Sequence, residues 1–221
     1  MYYITFFNDI KFLLSDFLFL YKMKNMRRKK QIKITKPIVM VGLMGAGKTS
    51  VGRALARALG IPFVDSDKEI EKAAGCSVVD IFAMYGEQEF RRVEEKVIER
   101  LLETPPMIKV ISTGEGAFIT PAVRKMILER TLTVWLRADL DLLVKRTNFR
   151  KTRPQLLNTD SRQILAQLIS ERYDTYALAN ITVETRDENI HKTLNKVLSA
   201  IEQSPYATSV GDKKQGEQNE N

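Results

Sequence analysis

Short apolar runs alternate along the chain with longer segments whose apolar positions recur every three or four residues. The runs at 38–41, 62–64, 108–112, 132–136 and 181–184 are too short for helices and read as buried strands. Helical spacing covers 51–59, 68–74, 77–85, 87–103, 121–129, 139–147, 161–177 and 187–202. Gly60 stops the first of these helices, and Gly75 and Gly86 break the next ones. Thr120 as N-cap and Pro121 at the first helical position open the segment at 121–129. Strands alternating with helices predict βαβ units: an α/β fold with a five-stranded parallel sheet covered on both faces. The stretch at 148–160 is too polar and basic to join the core. It lies between two helices and reads as a mobile lid.

The ends depart from this alternation. Residues 1–21 are apolar and aromatic, but Asp9, Lys11 and Asp16 interrupt them. A spanning helix needs about 20 predominantly apolar residues, so this is a poor one; a weak membrane-surface segment is the alternative to a stretch outside the true protein, and no membrane partner is expected. The basic run at 26–30 follows the apolar part, the reverse of a signal peptide. Residues 1–36 therefore read as a basic extension, disordered or artefactual, with translation expected to start at Met23 or Met26. Residues 203–221 are polar and read as a disordered tail. One domain spans 37–202.

Charge and composition narrow the function classes. The net charge of +8 would suggest nucleic acid if it lay on the domain. Residues 1–36 hold nine basic and two acidic residues, which leaves 26 basic against 25 acidic in the rest. The domain is thus nearly neutral, and no nucleic-acid partner is expected. Cys76 and His191 are the sole cysteine and histidine. They allow no internal disulfide and no Cys/His metal cluster. His191 lies in a polar helical segment and reads as a surface residue, not a hydrolase base. A cytoplasmic monomer is expected.

The sequence GLMGAGKT at 42–49 matches G-x-x-x-x-G-K-[ST] between a strand and a helix. Gly45 and Gly47 let successive backbone N–H groups point inward at phosphate oxygens, and the helix that follows adds its N-terminal dipole. Lys48 would reach the β- and γ-phosphates, and Thr49 would offer its hydroxyl to Mg²⁺. A GTPase would also carry a guanine-reading Asn-Lys-x-Asp. The only Asn-Lys pair, Asn195 and Lys196, is followed by Val197 and Leu198 inside a helix.

Asp65 and Asp67 stand at the end of the second strand, where ligands bind in open α/β sheets. They can hold Mg²⁺ and accept a hydrogen bond from an attacking hydroxyl, or one of them can cap the next helix. Arg91 and Glu94 are i, i+3 neighbours on a helix. They form either an exposed ion pair of little consequence or an arginine aimed by a carboxylate at an anionic acceptor.

These spaced motifs resemble the shikimate kinase family. The match runs through GLMGAGKT, Asp65-x-Asp67 and the sequence GEQEFRRVE at 86–94. It continues through STGEGA at 112–117, Arg153-Pro154 with Leu156 and Leu157, and Glu171-Arg172 with Tyr176. The similarity covers about residues 37–202. It implies a three-layer αβα fold of the P-loop, nucleoside-monophosphate-kinase-like type with a short lid. It also implies transfer of the γ-phosphate of ATP to the 3-hydroxyl of shikimate. ATP would lie on Gly45, Ala46, Gly47, Lys48, Thr49 and Ser50, with Arg146 against adenine and Arg153 closing over the phosphates. Thr49 and Asp65 would hold Mg²⁺. Asp67, Arg91, Arg172, Gly114 and Gly116 would hold shikimate, the two arginines through its carboxylate. Lys48, Asp67 and Arg153 would be the catalytic groups.

One residue departs from the pattern. The family carries three glycines in the loop where this chain has Gly114, Glu115 and Gly116. Glu115 is expected to turn to solvent or to pair with Arg91 or Arg172. The pairing would compete with the shikimate carboxylate and weaken its affinity. Two other readings stay open at the level of sequence: another small-molecule P-loop kinase, and a non-catalytic nucleotide-binding relative.

Overall fold

The computed structural model describes residues 31–148 and 161–210. The extension at 1–30, most of the expected lid with Arg153, and the tail at 211–221 lie outside the described residues.

Residues 34–207 form one unit. Its elements are β2 (Ile38–Val41), α1 (Lys48–Leu59), β3 (Phe63–Asp65), α2 (Ser66–Ala74), α3 (Val78–Glu103), β4 (Val110–Ser112) and α4 (Pro121–Arg130). β5 (Leu132–Ala138), α5 (Leu140–Asn148), α6 (Ser161–Tyr176), β6 (Ile181–Thr185) and α7 (Ile190–Glu202) follow. The sheet has the order β3-β4-β2-β5-β6, and every pairing in it is parallel. Described by itself, a second unit holds the paired strands β1 (Gln31–Ile34) and β7 (Ala207–Val210). These strands fall within stretches that polarity alone assigned to the extension and the tail. Their backbone groups pair with each other, so the pairing needs no apolar run of its own.

β2 is the centre of the sheet. Its four residues are fully buried, as are the three of β4, and burial on both faces is what an uninterrupted apolar run in a parallel sheet requires. α1 packs on α7 and against β2, β3 and β4, while α4 packs on α3 and against β5. Tyr176, Phe118, Ile38, Met40 and Leu136 are among the largest wholly buried side chains.

Two boundaries have clear local reasons. The span of α3 is two helical segments that meet at a kink at Gly86 (φ 78°, ψ 175°), where the chain leaves helical torsions as the glycine break predicts. The span is capped at its start: Ser77 Oγ accepts the Asp80 N–H at 3.1 Å, and Asp80 Oδ2 accepts the Ser77 N–H at 3.2 Å. The first helix begins at Lys48, three residues before its apolar face, because polar Lys48, Thr49 and Ser50 make its first turn.

The glycine-rich turn leaves β2 by a close pass over β5. A Cβ on Gly42 would lie 2.7 Å from the backbone oxygen of Leu136 and 3.2 Å from Trp135, and φ there is +135°. Both the torsion and the contact demand glycine. Gly42→Ala should therefore lower the stability of the domain by about 1–3 kcal/mol. Urea unfolding checks this, and an unchanged midpoint would contradict the close approach.

Candidate active site

The site grows from the carboxyl edge of the parallel sheet. Strand register sets Asp65 beside Ser112 and Ser112 beside Met40, so three chain segments reach that edge level with one another. A cleft of about 490 Å³ opens there. Its walls come from the glycine-rich turn, the ends of β3 and β4, α5, and the β6–α7 junction.

On the turn, Gly45 and Gly47 take left-handed torsions and curl the backbone before α1 begins. Lys48 Nζ donates to the carbonyls of Gly42 at 2.7 Å and Leu43 at 3.0 Å. Its ammonium is thereby held across the mouth of the turn. Ala46 is buried, and Thr49 and Ser50 stand exposed at the start of α1. Arg146, on α5, donates to the carbonyls of Gly45 at 3.3 Å and of Arg186 at 3.0 Å. It lines the cleft with Thr185, Glu188, Ile190 and Thr193.

The two aspartates part company. β3 ends at Asp65 and α2 starts at Ser66, so Asp67 belongs to a helical turn and the two-residue repeat of a strand does not align them. Asp65 occupies the N-cap position of α2, yet its side chain makes no capping hydrogen bond. It accepts instead from Thr49 Oγ1 at 3.0 Å. Thr49 Oγ1 also lies 3.2 Å from Ser112 Oγ. Asp67 faces the acceptor loop: a Cβ added to Gly114 would sit 2.6 Å from its Oδ1. Ser66, wholly buried between the two aspartates, accepts the Gly114 N–H at 3.3 Å and ties this loop to α2.

Arg91 and Glu94 are not a surface pair. The Glu94 side chain is 1% exposed and accepts from Arg91 Nη1 at 2.7 Å. Glu87 accepts from the same guanidinium at 3.1 Å. Burial pushes the Glu94 carboxyl above its ordinary range, and the hydrogen bond from Arg91 opposes that rise. Burial also acts against the Arg91 charge, but Glu94 and Glu87 outweigh it and the net shift is upward. The guanidinium lies flat against Gly116: a Cβ there would come within 2.3–2.6 Å of three of its atoms. Only a glycine permits that approach.

Arg172 reaches the same loop from α6. Its Nη1 lies 3.8 Å from Glu115 Oε1. One turn on, the buried Tyr176 hydroxyl donates to the Glu115 carbonyl. Burial is the main cause that pushes the Tyr176 phenol well above its ordinary range, so it stays a donor. Tyr176 stacks on Trp135, which also touches the Gly42 turn, so aromatic packing joins the acceptor loop to the phosphate turn.

Residues 114–116 thus gather the acceptor side. Gly114 faces Asp67 and Glu94, Glu115 faces Arg172, and Gly116 faces Arg91. Ser66, Ser112, Tyr176 and Glu188 escaped the sequence reading. Ser66, the first residue of α2, and Ser112, at the end of β4, are short polar residues that lay within or beside quoted motifs without a role. Tyr176 lay within a quoted motif without a role. Among the described residues no helix is long and apolar enough to cross a membrane. Nor do three or more His, Cys, Asp or Glu side chains come together among the described residues in a way that could hold a metal ion. His191 is exposed, as its polar surroundings predicted.

Comparison with known proteins agrees with this arrangement. The model of the Shikimate kinase family matches residues 44–202. A shikimate kinase from Paramagnetospirillum magneticum is 50% identical over 169 residues, 76% of this chain and 86% of that protein. One from Brucella canis is 42% identical over 197 residues, 86% of this chain and 98% of that protein. A shikimate kinase from Acinetobacter baumannii, solved in complex with shikimate, superposes with a TM-score of 0.70 at 37% identity, covering 75% of this chain and 92% of its own. With the five-stranded parallel sheet, the glycine-rich phosphate turn and the acceptor loop in place, this chain belongs to the shikimate kinase family.

Proposed function

We propose that the shikimate kinase reaction runs in this cleft with ATP on the glycine-rich turn and shikimate between Asp67, Arg91 and Arg172. Backbone N–H groups at 45–50 receive the phosphates, and Lys48 leaves its two carbonyl partners for the β- and γ-phosphate oxygens. Arg146 and the side chains beside it on the β6–α7 junction hold the nucleoside end. Thr49 Oγ1, Asp65 Oδ2 and Ser112 Oγ converge within 3.0–3.2 Å, and such an oxygen set suits a hard divalent cation. Thr49 and Asp65 would hold Mg²⁺ directly or through water, and the ion would neutralise phosphate charge.

On the acceptor side, Arg91 and Arg172 hold the shikimate carboxylate by charge-assisted hydrogen bonds. Asp67 accepts a hydrogen bond from the 3-hydroxyl and aims its oxygen at the γ-phosphorus. As the new P–O bond forms, the bond to the ADP oxygen breaks and the hydroxyl proton passes to Asp67. Arg153 is proposed, from resemblance alone, to close over the phosphates. The observation that carries this reading is the loop at 114–116. Its consecutive residues face an aspartate and two arginines, a set that suits a small acceptor bearing hydroxyls and one carboxylate.

A coupled ADP-release assay with shikimate tests the reaction directly. Lys48→Ala should abolish shikimate-dependent ADP release while the melting temperature stays near that of the parent, because Lys48 acts on charge and not on packing. Near-normal turnover in that variant would overturn the phosphate-turn assignment.

The two arginines should separate by their effects on stability. Arg91→Ala and Arg172→Ala should each raise the KM for shikimate roughly tenfold or more and leave that for ATP nearly unchanged. Arg91→Ala alone should also destabilise the fold, since it strands the buried Glu94. That loss has a definite pH sign. Burial already holds the folded-state pKa of Glu94 above that of an exposed glutamate, and losing Arg91 raises it further. The folded form of the variant then holds a proton that the unfolded form gives up. Its stability should fall as pH rises above 4.5 and level off beyond the folded pKa. Chemical unfolding of both variants from pH 4 to 8 checks this, and a pH-independent deficit in Arg91→Ala would contradict it.

A further inference from the structure

We infer that Glu115 serves as a built-in carboxylate that holds Arg172 in the acceptor site, and that an anionic acceptor must take Arg172 from it. Glu115 thereby sets how strongly the enzyme prefers acidic over neutral acceptors. The inference rests on the reading of Arg172 as an acceptor-binding group.

Three observations lead to it. Arg172 Nη1 is buried and, among the described residues, makes no hydrogen bond. Glu115 Oε1 stands 3.8 Å away, close enough for charge attraction but beyond hydrogen-bond distance. A buried cationic donor left in that state gains from any oxygen anion that comes nearer. The attraction to Glu115 steadies Arg172 but leaves its Nη1 without a hydrogen-bond acceptor among the described residues.

The backbone of Glu115 is held at several points. Its carbonyl accepts from Tyr176, its neighbour Gly114 donates to Ser66, and Gly116 lies against Arg91. The loop cannot retreat without breaking these contacts. The Glu115 carboxylate stands 19% exposed at the end of a side chain with three rotatable bonds, so it can turn aside. Arg91 differs in this respect. Its partner Glu94 is 1% exposed, hydrogen-bonded at 2.7 Å and locked in the interior. The acceptor site therefore contains one arginine aimed by a fixed carboxylate and one held by a carboxylate that can be displaced.

A carboxylate arriving at Arg172 meets the charge of Glu115 beside it. The two anions repel and share one guanidinium, so part of the attraction for the acceptor offsets the loss of the internal pair. A neutral acceptor leaves the pair intact and meets no such opposition. Removing the charge of Glu115 should then favour the acid alone. If Glu115 instead contacted a ring hydroxyl of the acceptor, its removal would weaken acid and neutral analogue alike.

The test uses the full chain and its Glu115→Gln and Glu115→Gly variants. Each is assayed by ADP release with shikimate, and by competition with shikimate methyl ester as the neutral probe. Glutamine keeps size and shape, and glycine guards against a packing effect of the amide. Both variants should lower the KM for shikimate roughly three- to tenfold. The KM for ATP and the inhibition constant of the ester should stay where they are. In an Arg172→Gln background, Glu115→Gln should lower the KM for shikimate by a clearly smaller factor, since the competition for the guanidinium is gone and only direct repulsion remains. An unchanged or raised KM for shikimate would overturn the inference. So would an equal gain for the ester, or a gain of undiminished size in the Arg172→Gln background. Absence of any shikimate-dependent ADP release in the parent chain would be a different failure, that of the proposed function itself.

Discussion

The parallel pairing of β2 between β4 and β5 is the constraint on which everything else in this molecule depends. It brings the carboxyl ends of the strands to one edge and holds them in register. Ser112 sits between Met40 and Asp65, and Val41 lies beside Trp135 just before the chain turns at Gly42. That alignment lets Thr49, from the first turn of α1, reach both Asp65 and Ser112. A slip of one residue would turn these side chains to the opposite face and disperse the oxygen set.

The same edge leaves little space, and glycine marks where space runs out. At Gly42 the limit is the backbone of β5, and at Gly116 it is the plane of a guanidinium. Gly114 approaches the carboxylates of Asp67 and Glu94 in the same way. Each close pass brings main chain against a neighbouring strand or side chain at the edge of the cleft, so the glycine-rich turn and the loop at 114–116 solve similar problems at neighbouring strand ends. The aromatic stack of Trp135 on Tyr176 makes them one packed unit.

Charge in the acceptor site is arranged around burial. Glu94 sits inside the protein, where a lone carboxylate would be costly, and Arg91 compensates it while presenting its remaining face outward. The pair therefore gives direction to a cation more than stability to the fold. Arg172 is held less firmly, through Glu115 at a longer distance and at a more exposed place.

Much of this was legible in the chain itself. Apolar period placed the strands and helices of the main unit, because each local pattern has one geometry that buries it. The strand–GLMGAGKT–helix succession announced a phosphate turn, because its torsions and donors are set within a few neighbouring residues. What sequence left undecided were choices among partners far apart in the chain. Asp65 was a helix cap or a partner for the phosphate turn until the fold set Thr49 beside it and left it without a capping bond. Arg91–Glu94 was a surface ion pair or an aimed arginine until packing enclosed Glu94. Glu115 had two arginines within imaginable reach, and α6 brought only Arg172 to it. Spacing along one helix or turn determines local geometry, but burial and pairing across 16 or 61 residues, as for Thr49 with Asp65 and Glu115 with Tyr176, exist only once the sheet has closed.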